Sequence, residues 1–225
     1  MCSISREVIQ ADFDALRGVV SRILGHSYDA LTAPERLTLL EGLERETRRL
    51  RVPGHQLINQ LAEQSTVEEL GGRLSRVLAE RLRITRAEAG RRVAEAADLG
   101  PRHALSGQPL APLLTATAAA ERAGDIGGAQ VQVIRRFLAQ LPSVIDPGTR
   151  ESAQTHLAEL AGRFRPDQLA VLADKLSDCL NPDGTYTDDD RARRRGLMLG
   201  KQGPDGMTEL RGLLTPEARA GLEKI

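Results

Sequence analysis

Apolar residues recur at helical spacing from the start of the chain. Val8, Phe13, Leu16, Val20, Ile23 and Leu24 share a face, which predicts a first helix over about 4–24, beginning near Ile4. After a turn at 25–30, Thr32 with Glu35 has the form of a capping box, the hydroxyl and the carboxylate each able to satisfy an orphan amide. Leu37, Leu40, Leu43, Leu50, Leu57 and Leu61 prolong the second pattern, with a kink or break expected at Pro53-Gly54. These first two helices are expected to pack lengthwise. Ser65 or Thr66 would cap a third helix reaching about Arg83, weakened by Gly71-Gly72, and Thr85 with Glu88 would box the start of a fourth that stops at Gly100-Pro101.

Pro101, Pro109 and Pro112 make 101–112 an irregular crossover. Helical patterns return at 113–123 and 128–141. Asp146-Pro147 caps another helix to about 164, and Pro166 opens one ending near 181–182. Residues 181–190 form a polar loop. RARRRGLMLGKQGPDGMTELRGLL alternates around Gly203-Pro204-Asp205-Gly206 and predicts a β-hairpin, after which Thr215-Pro216-Glu217 starts a helix running to Ile225. The expectation is a mainly α fold: a multi-helix bundle over 1–182, with a small C-terminal β-hairpin in a 183–225 tail packed on the same domain. Internal repetition is confined to the helix-start phrases LTAPE and LTPE.

Composition narrows the functional classes. Thirty-one basic and thirty-one acidic side chains cancel, so attraction to a polyanion must come from a local patch. The cations are nearly all arginine, with Lys175, Lys201 and Lys224 the lysines, and tryptophan is absent. Base-stacking platforms of a single-strand binder are therefore missing. Cys2 and Cys179 are too few for a disulfide framework or a zinc site. No apolar run approaches a spanning helix and no leader pattern opens the chain, so the cytoplasm is the expected location and no membrane partner is expected.

The stretch VLAERLRITRAEAGRRVAEAADL raises the main functional question, because it reads as two helices joined by a tight turn. Leu78, Ala79, Leu82 and Ile84 suit inner positions of the first helix and the turn, while Ala89, Val93 and Ala96 form the stripe of the second. Arg83 stands where glycine is favoured. Arg81, Arg83, Arg86, Arg91 and Arg92 are candidate DNA contacts, although Glu88, Glu95 and Asp98 offset them; Glu88 with Arg92 and Arg91 with Glu95 have i,i+4 spacing. Arg191, Arg193, Arg194 and Arg195 in DDDRARRR form a second candidate contact set, against the alternative of a solvated helix start with its acids at the positive end of the dipole. His26, His55, His103 and His156 show no ligand spacing and no supporting acid, and Cys179 reads as a buried small hydrophobe. Hence no catalytic residue, metal ligand or small-molecule cofactor is expected.

LTAPERLTLLEGLERETRRL, ERLRITRAEAGRRVAEA, ATAAAERAGDIGGAQVQVI, NPDGTYTDDDRARRRGLML and DGMTELRGLLTPEA, in that order and spacing, resemble the domain of unknown function 222 of the 13E12-repeat proteins of high-GC Gram-positive bacteria. The likeness covers the chain from about residue 30 onward. It implies an N-terminal module that stands before an HNH endonuclease module, in proteins tied to mobile elements, and a chain that stops short of that module. The implied role is non-catalytic: contacting DNA, or positioning a DNA-acting partner such as a separately encoded HNH module. The rival is a scaffold that self-associates or binds protein through the leucine seam from Leu37 to Leu61.

Overall fold

The computed structural model describes residues 5–104 and 106–223, so the predicted start at Ile4, Cys2 and the last turn toward Ile225 lie outside the described residues. The chain divides between Glu44 and Arg45 into two compact units. In the first, Ser5 accepts from the Val8 N–H and opens α1 (Arg6–Leu24). The following turn is stapled: the Tyr28 hydroxyl donates to the Ile23 carbonyl, and the Arg36 guanidinium donates to the carbonyls of Tyr28 and Asp29. Only one half of the predicted box forms before α2 (Ala33–Arg49), the Glu35 carboxylate accepting from both the amide and the hydroxyl of Thr32 at 2.7 Å. The expected lengthwise packing does not occur. Neither helix buries a residue, and Phe13, Leu37 and Leu40 stay about half exposed or more.

In the second unit the leucine pattern is interrupted at Leu50, and α3 (Arg51–Gln64) begins afresh. Pro53 explains the position of the break: its ring conflicts with the carbonyl four residues earlier, which belongs to Arg49, the last residue of α2. The predicted third helix is also two elements. A complete Thr66–Glu69 box starts α4 (Val67–Leu70), Gly71 closes it at φ 74°, where a β-carbon would be strained, and α5 (Leu74–Leu82) follows. Helix α6 (Arg86–Leu99) then packs on both α3 and α5. Ile58, Leu78, Ala79, Ala89 and Ala96 form this first cluster, with Leu74, Ile84 and Val93 against it.

Gly100 stops α6 at a close approach: a β-carbon there would lie 2.5 Å from Asn59 Nδ2, which donates to the carbonyls of Ala96 and Pro101. The crossover is irregular apart from a small ladder of β1 (Arg102–His103) and β2 (Pro109–Leu110). The second cluster is built from α7 (Thr115–Ala123), α8 (Gly128–Gln140), α9 (Pro147–Ala161) and α10 (Pro166–Leu180), around Ile126, Ile134, Phe137, Leu157 and Leu169. Asp146 caps α9 as predicted. Arg150, near the start of α9, donates to the carbonyls of Leu138, Leu141, Pro142 and Ile145 and so closes the end of α8.

The tail departs from prediction at its start. The arginine run is helical, in α11 (Asp188–Arg194), with a full Thr187–Asp190 box; the hairpin comprises only β3 (Gly196–Gln202) and β4 (Thr208–Leu213). Three carboxylates in the first turn and arginines in the last suit the helix dipole, which outweighs the weak alternation of RARRR. The antiparallel register pairs Leu199 with Leu210 and Leu197 with Gly212. Both strands are exposed on both faces, and α12 (Pro216–Leu222) follows the Thr215 cap. Among the described residues no helix is long and apolar enough to cross a membrane.

Candidate functional site

The α5–α6 pair forms a helix-turn-helix on the residues the sequence singles out. Three residues connect the helices, and Arg83 closes α5 at φ 55°, the one non-glycine in the left-handed region among the described residues. Leu78 and Ala79 are buried, Ile84 is half-buried under the turn, and Leu82 is exposed. Thr85 accepts from the Glu88 N–H at 3.1 Å and caps α6. The other half of that box is missing, because the Glu88 carboxylate turns to Arg91 and Arg92 instead. The hydrogen bond from Arg92 holds that carboxylate below its ordinary pKa.

The five candidate arginines here therefore divide into two sets. Arg91 and Arg92 are compensated, by Glu88 and, for Arg91, by Glu95 at 3.9 Å. Arg81, Arg83 and Arg86 are exposed, bracket the turn, and form no ion pair among the described residues. Arg86 is also the first residue of α6, whose N-terminal amides add positive potential.

Behind the helix-turn-helix lies a buried ionic network that pattern reading missed. Arg51 donates through Nε to Glu121 and through Nη2 to Glu95, both at 2.7 Å, and His55 Nε2 lies 2.9 Å from the second Glu121 oxygen. Both carboxylates are about 1% exposed, and Glu95 Oε1 has no hydrogen-bond partner. Burial pushes Glu121 upward, but the hydrogen bonds from His55 and Arg51 outweigh it and leave the carboxyl below its ordinary pKa. Burial likewise works against the charged guanidinium of Arg51, and Glu121 and Glu95 more than reverse it. Glu95 meets Arg91 at the expected i,i+4 spacing, at 3.9 Å, but its shorter bond is the inward one to Arg51. His55 has the supporting acid that its neighbours in sequence lack. The network joins α3, α6 and α7, and with them the two apolar clusters.

The second arginine set lies on and just after α11. Arg191 pairs with Asp188, Arg193 with the buried Asp190, and Arg194 lies 5.7 Å from the Tyr186 ring centroid; Arg195 forms no ion pair among the described residues. Amide and hydroxyl donors from Thr187, and further ones from Ser143, hold Asp190 well below the usual carboxylate range against the opposing effect of burial. Asp190 thereby ties α11 to the loop after α8. Cys179 is exposed on α10, contrary to expectation. Among the described residues no group of three His, Cys, Asp or Glu side chains could hold a metal ion. An open cleft of about 720 Å³ between α6 and α8 places Arg135 and Arg136 beside Arg91, with Arg135 bonded to Asp98 at 2.7 Å.

Fold and site together define a mainly α-helical protein that presents an arginine-bordered helix-turn-helix. It belongs to the family described as a domain of unknown function (DUF222), whose model matches residues 37–225. It is 60% identical over its whole length to the uncharacterized protein MT1160 of Mycobacterium tuberculosis, covering 53% of that protein, and 60% identical to the uncharacterized protein Rv1128c of the same species, covering 50%. It is 52% identical to the uncharacterized protein Mb1179c of Mycobacterium bovis, again covering 50%. The chain thus spans about half the length of the curated relatives it matches. No solved structure matches it.

Proposed function

We propose that this chain is a non-catalytic DNA-contacting module, whose helix-turn-helix meets the phosphate backbone through Arg81, Arg83 and Arg86. The observation that carries this reading is the division among the arginines: those at the turn carry uncompensated charge, whereas Arg91 and Arg92 already have carboxylate partners. In a chain of zero formal charge, such a local patch is the available source of polyanion affinity. The buried Arg51–Glu95–Glu121 network has the character of a structural junction, since its carboxylates are closed off from solvent. In the longer relatives, metal-dependent cleavage of the HNH kind would fall to the part outside the matched half.

Anisotropy titration of a labelled duplex at two salt concentrations tests the reading. Binding should weaken with salt, and Arg83→Glu plus Arg86→Glu should weaken it further and lower the salt slope by about one per lost phosphate contact. Arg91→Glu plus Arg92→Glu should have the smaller effect. Absence of binding at low salt, or a slope untouched by the turn variant, would overturn it. The rival scaffold through a Leu37–Leu61 seam is weakened by the break at Leu50, which divides that seam between two helices.

A further inference from the structure

We infer that the outer face of α8, with the end of α11, is a second phosphate-binding surface, on which Arg136 and Arg194 contact the backbone of a DNA duplex. This inference rests on the DNA-contacting reading above and extends it to residues remote in sequence from the helix-turn-helix. The cleft of about 720 Å³ between α6 and α8 shares Leu138 and Ala139 with a second hollow of about 350 Å³, bordered by α11. Each hollow has three arginines against one aspartate: Arg91, Arg135 and Arg136 with Asp98, then Arg150, Arg193 and Arg194 with Asp190. The sequence of α8 explains the face. Gln132, Arg135, Arg136 and Ala139 recur at intervals of three and four, opposite the side that buries Ile134 and Phe137.

Both aspartates are already engaged, Asp98 by Arg135 and Asp190 by Arg193, and Arg91 has Glu88. Arg150 is bound to carbonyls, so its charge has no carboxylate against it among the described residues. Arg136 is exposed and forms no ion pair or side-chain hydrogen bond among the described residues, and exposed Arg194 has the Tyr186 ring beside it and no ion pair. Two guanidinium forks are thus left for an anion, and their planar geometry suits phosphate oxygens. The lining favours a phosphate backbone over an acidic peptide. A peptide is anchored by apolar side chains in apolar pockets, whereas here Val133 and Leu141 are buried in the second cluster and Leu114 and Leu138 are half-buried against it. What faces solvent is guanidinium, Gln132 and the small Ala129 and Ala139.

Anisotropy titration of the full chain with a labelled duplex at two salt concentrations decides the matter. Arg136→Glu plus Arg194→Glu should lower the salt slope by about two, and to a similar extent on unrelated duplex sequences, as loss of phosphate contacts does. Combined with Arg83→Glu plus Arg86→Glu, the losses of slope should add. Arg136→Gln plus Arg194→Gln should act in the same direction, and decides the question if charge reversal disturbs the fold. A slope unchanged in both pairs, with binding still weakened by the turn variant, would overturn this inference and leave the helix-turn-helix contact standing. Loss of slope in these pairs alone would support it and overturn the turn contact instead. A wild-type chain without duplex affinity at low salt would overturn both. Variants that bind the duplex normally but lose labelled polyglutamate would overturn this inference and assign the face to an acidic protein partner.

Discussion

Glu121 shows how one buried residue is held between opposing influences. Burial favours its neutral form; the hydrogen bonds from His55 and Arg51 favour the carboxylate and prevail. A carboxyl whose folded pKa is lowered contributes stability that is fully present above the unfolded value of about 4.3 and is lost as pH falls through the folded value. Thermal midpoints measured against pH should therefore drop on acidification below about pH 5. Glu121→Gln should lower stability by about 2–3 kcal/mol at pH 7, since it leaves Arg51 with Glu95 alone, and should flatten that acid limb. An acid limb of unchanged steepness would mean that other carboxylates govern acid unfolding. Asp190 obeys the same sign rule, and its consequence is local. Asp190→Asn should speed amide exchange over 187–195, where the cap and the tie to Ser143 are lost, with the second apolar cluster unaffected.

At the scale of elements, the turn between α5 and α6 sets fold against function. A non-glycine residue in the left-handed region costs roughly 1–2 kcal/mol, partly offset by the unfolded-state entropy that glycine would add. Arg83→Gly should therefore stabilise the protein by about 0.5–1 kcal/mol in denaturant melts. Under the proposed function it should also weaken duplex binding, so the same variant moves stability and affinity in opposite directions. Unchanged or tighter binding would break the link between this arginine and DNA, and lower stability would show that its backbone conformation is not strained. Arg150 acts in the second cluster as a side-chain cap on the end of α8. Arg150→Ala orphans carbonyls of Leu138, Leu141, Pro142 and Ile145 and should cost about 2–3 kcal/mol, read as a lower denaturation midpoint with an unchanged slope.

Over the whole molecule, the second unit is two apolar clusters joined by the Arg51–Glu95–Glu121 network and by the Arg135–Asp98 pair. Its first cluster contains the helix-turn-helix, and the junction reaches α6 itself through Glu95. The formal charge balance hides an uneven surface, because arginines such as Arg91, Arg92 and Arg191 are paired with neighbouring carboxylates, whereas the three that bracket the α5–α6 turn form no ion pair among the described residues. The first unit is the reverse case, with ordered apolar faces and nothing buried beneath them.

Local information in the chain determined most element identities. Thr66, Thr85, Asp146 and Thr215 cap as their spacing predicts, Gly100-Pro101 ends α6, and apolar residues at intervals of three and four mark the buried faces of α6 and α8. It also placed Arg83 at a strained turn and the Glu88–Arg92 pair on α6, since both depend on residues within one helical turn. Tertiary structure alone decided which charges are buried. Glu95 meets Arg51 across 44 positions and His55 meets Glu121 across 66, so no periodicity could announce them. It likewise left α1 and α2 without mutual burial and Cys179 exposed, because a pattern shows that a face is apolar and only packing shows what, if anything, lies against it.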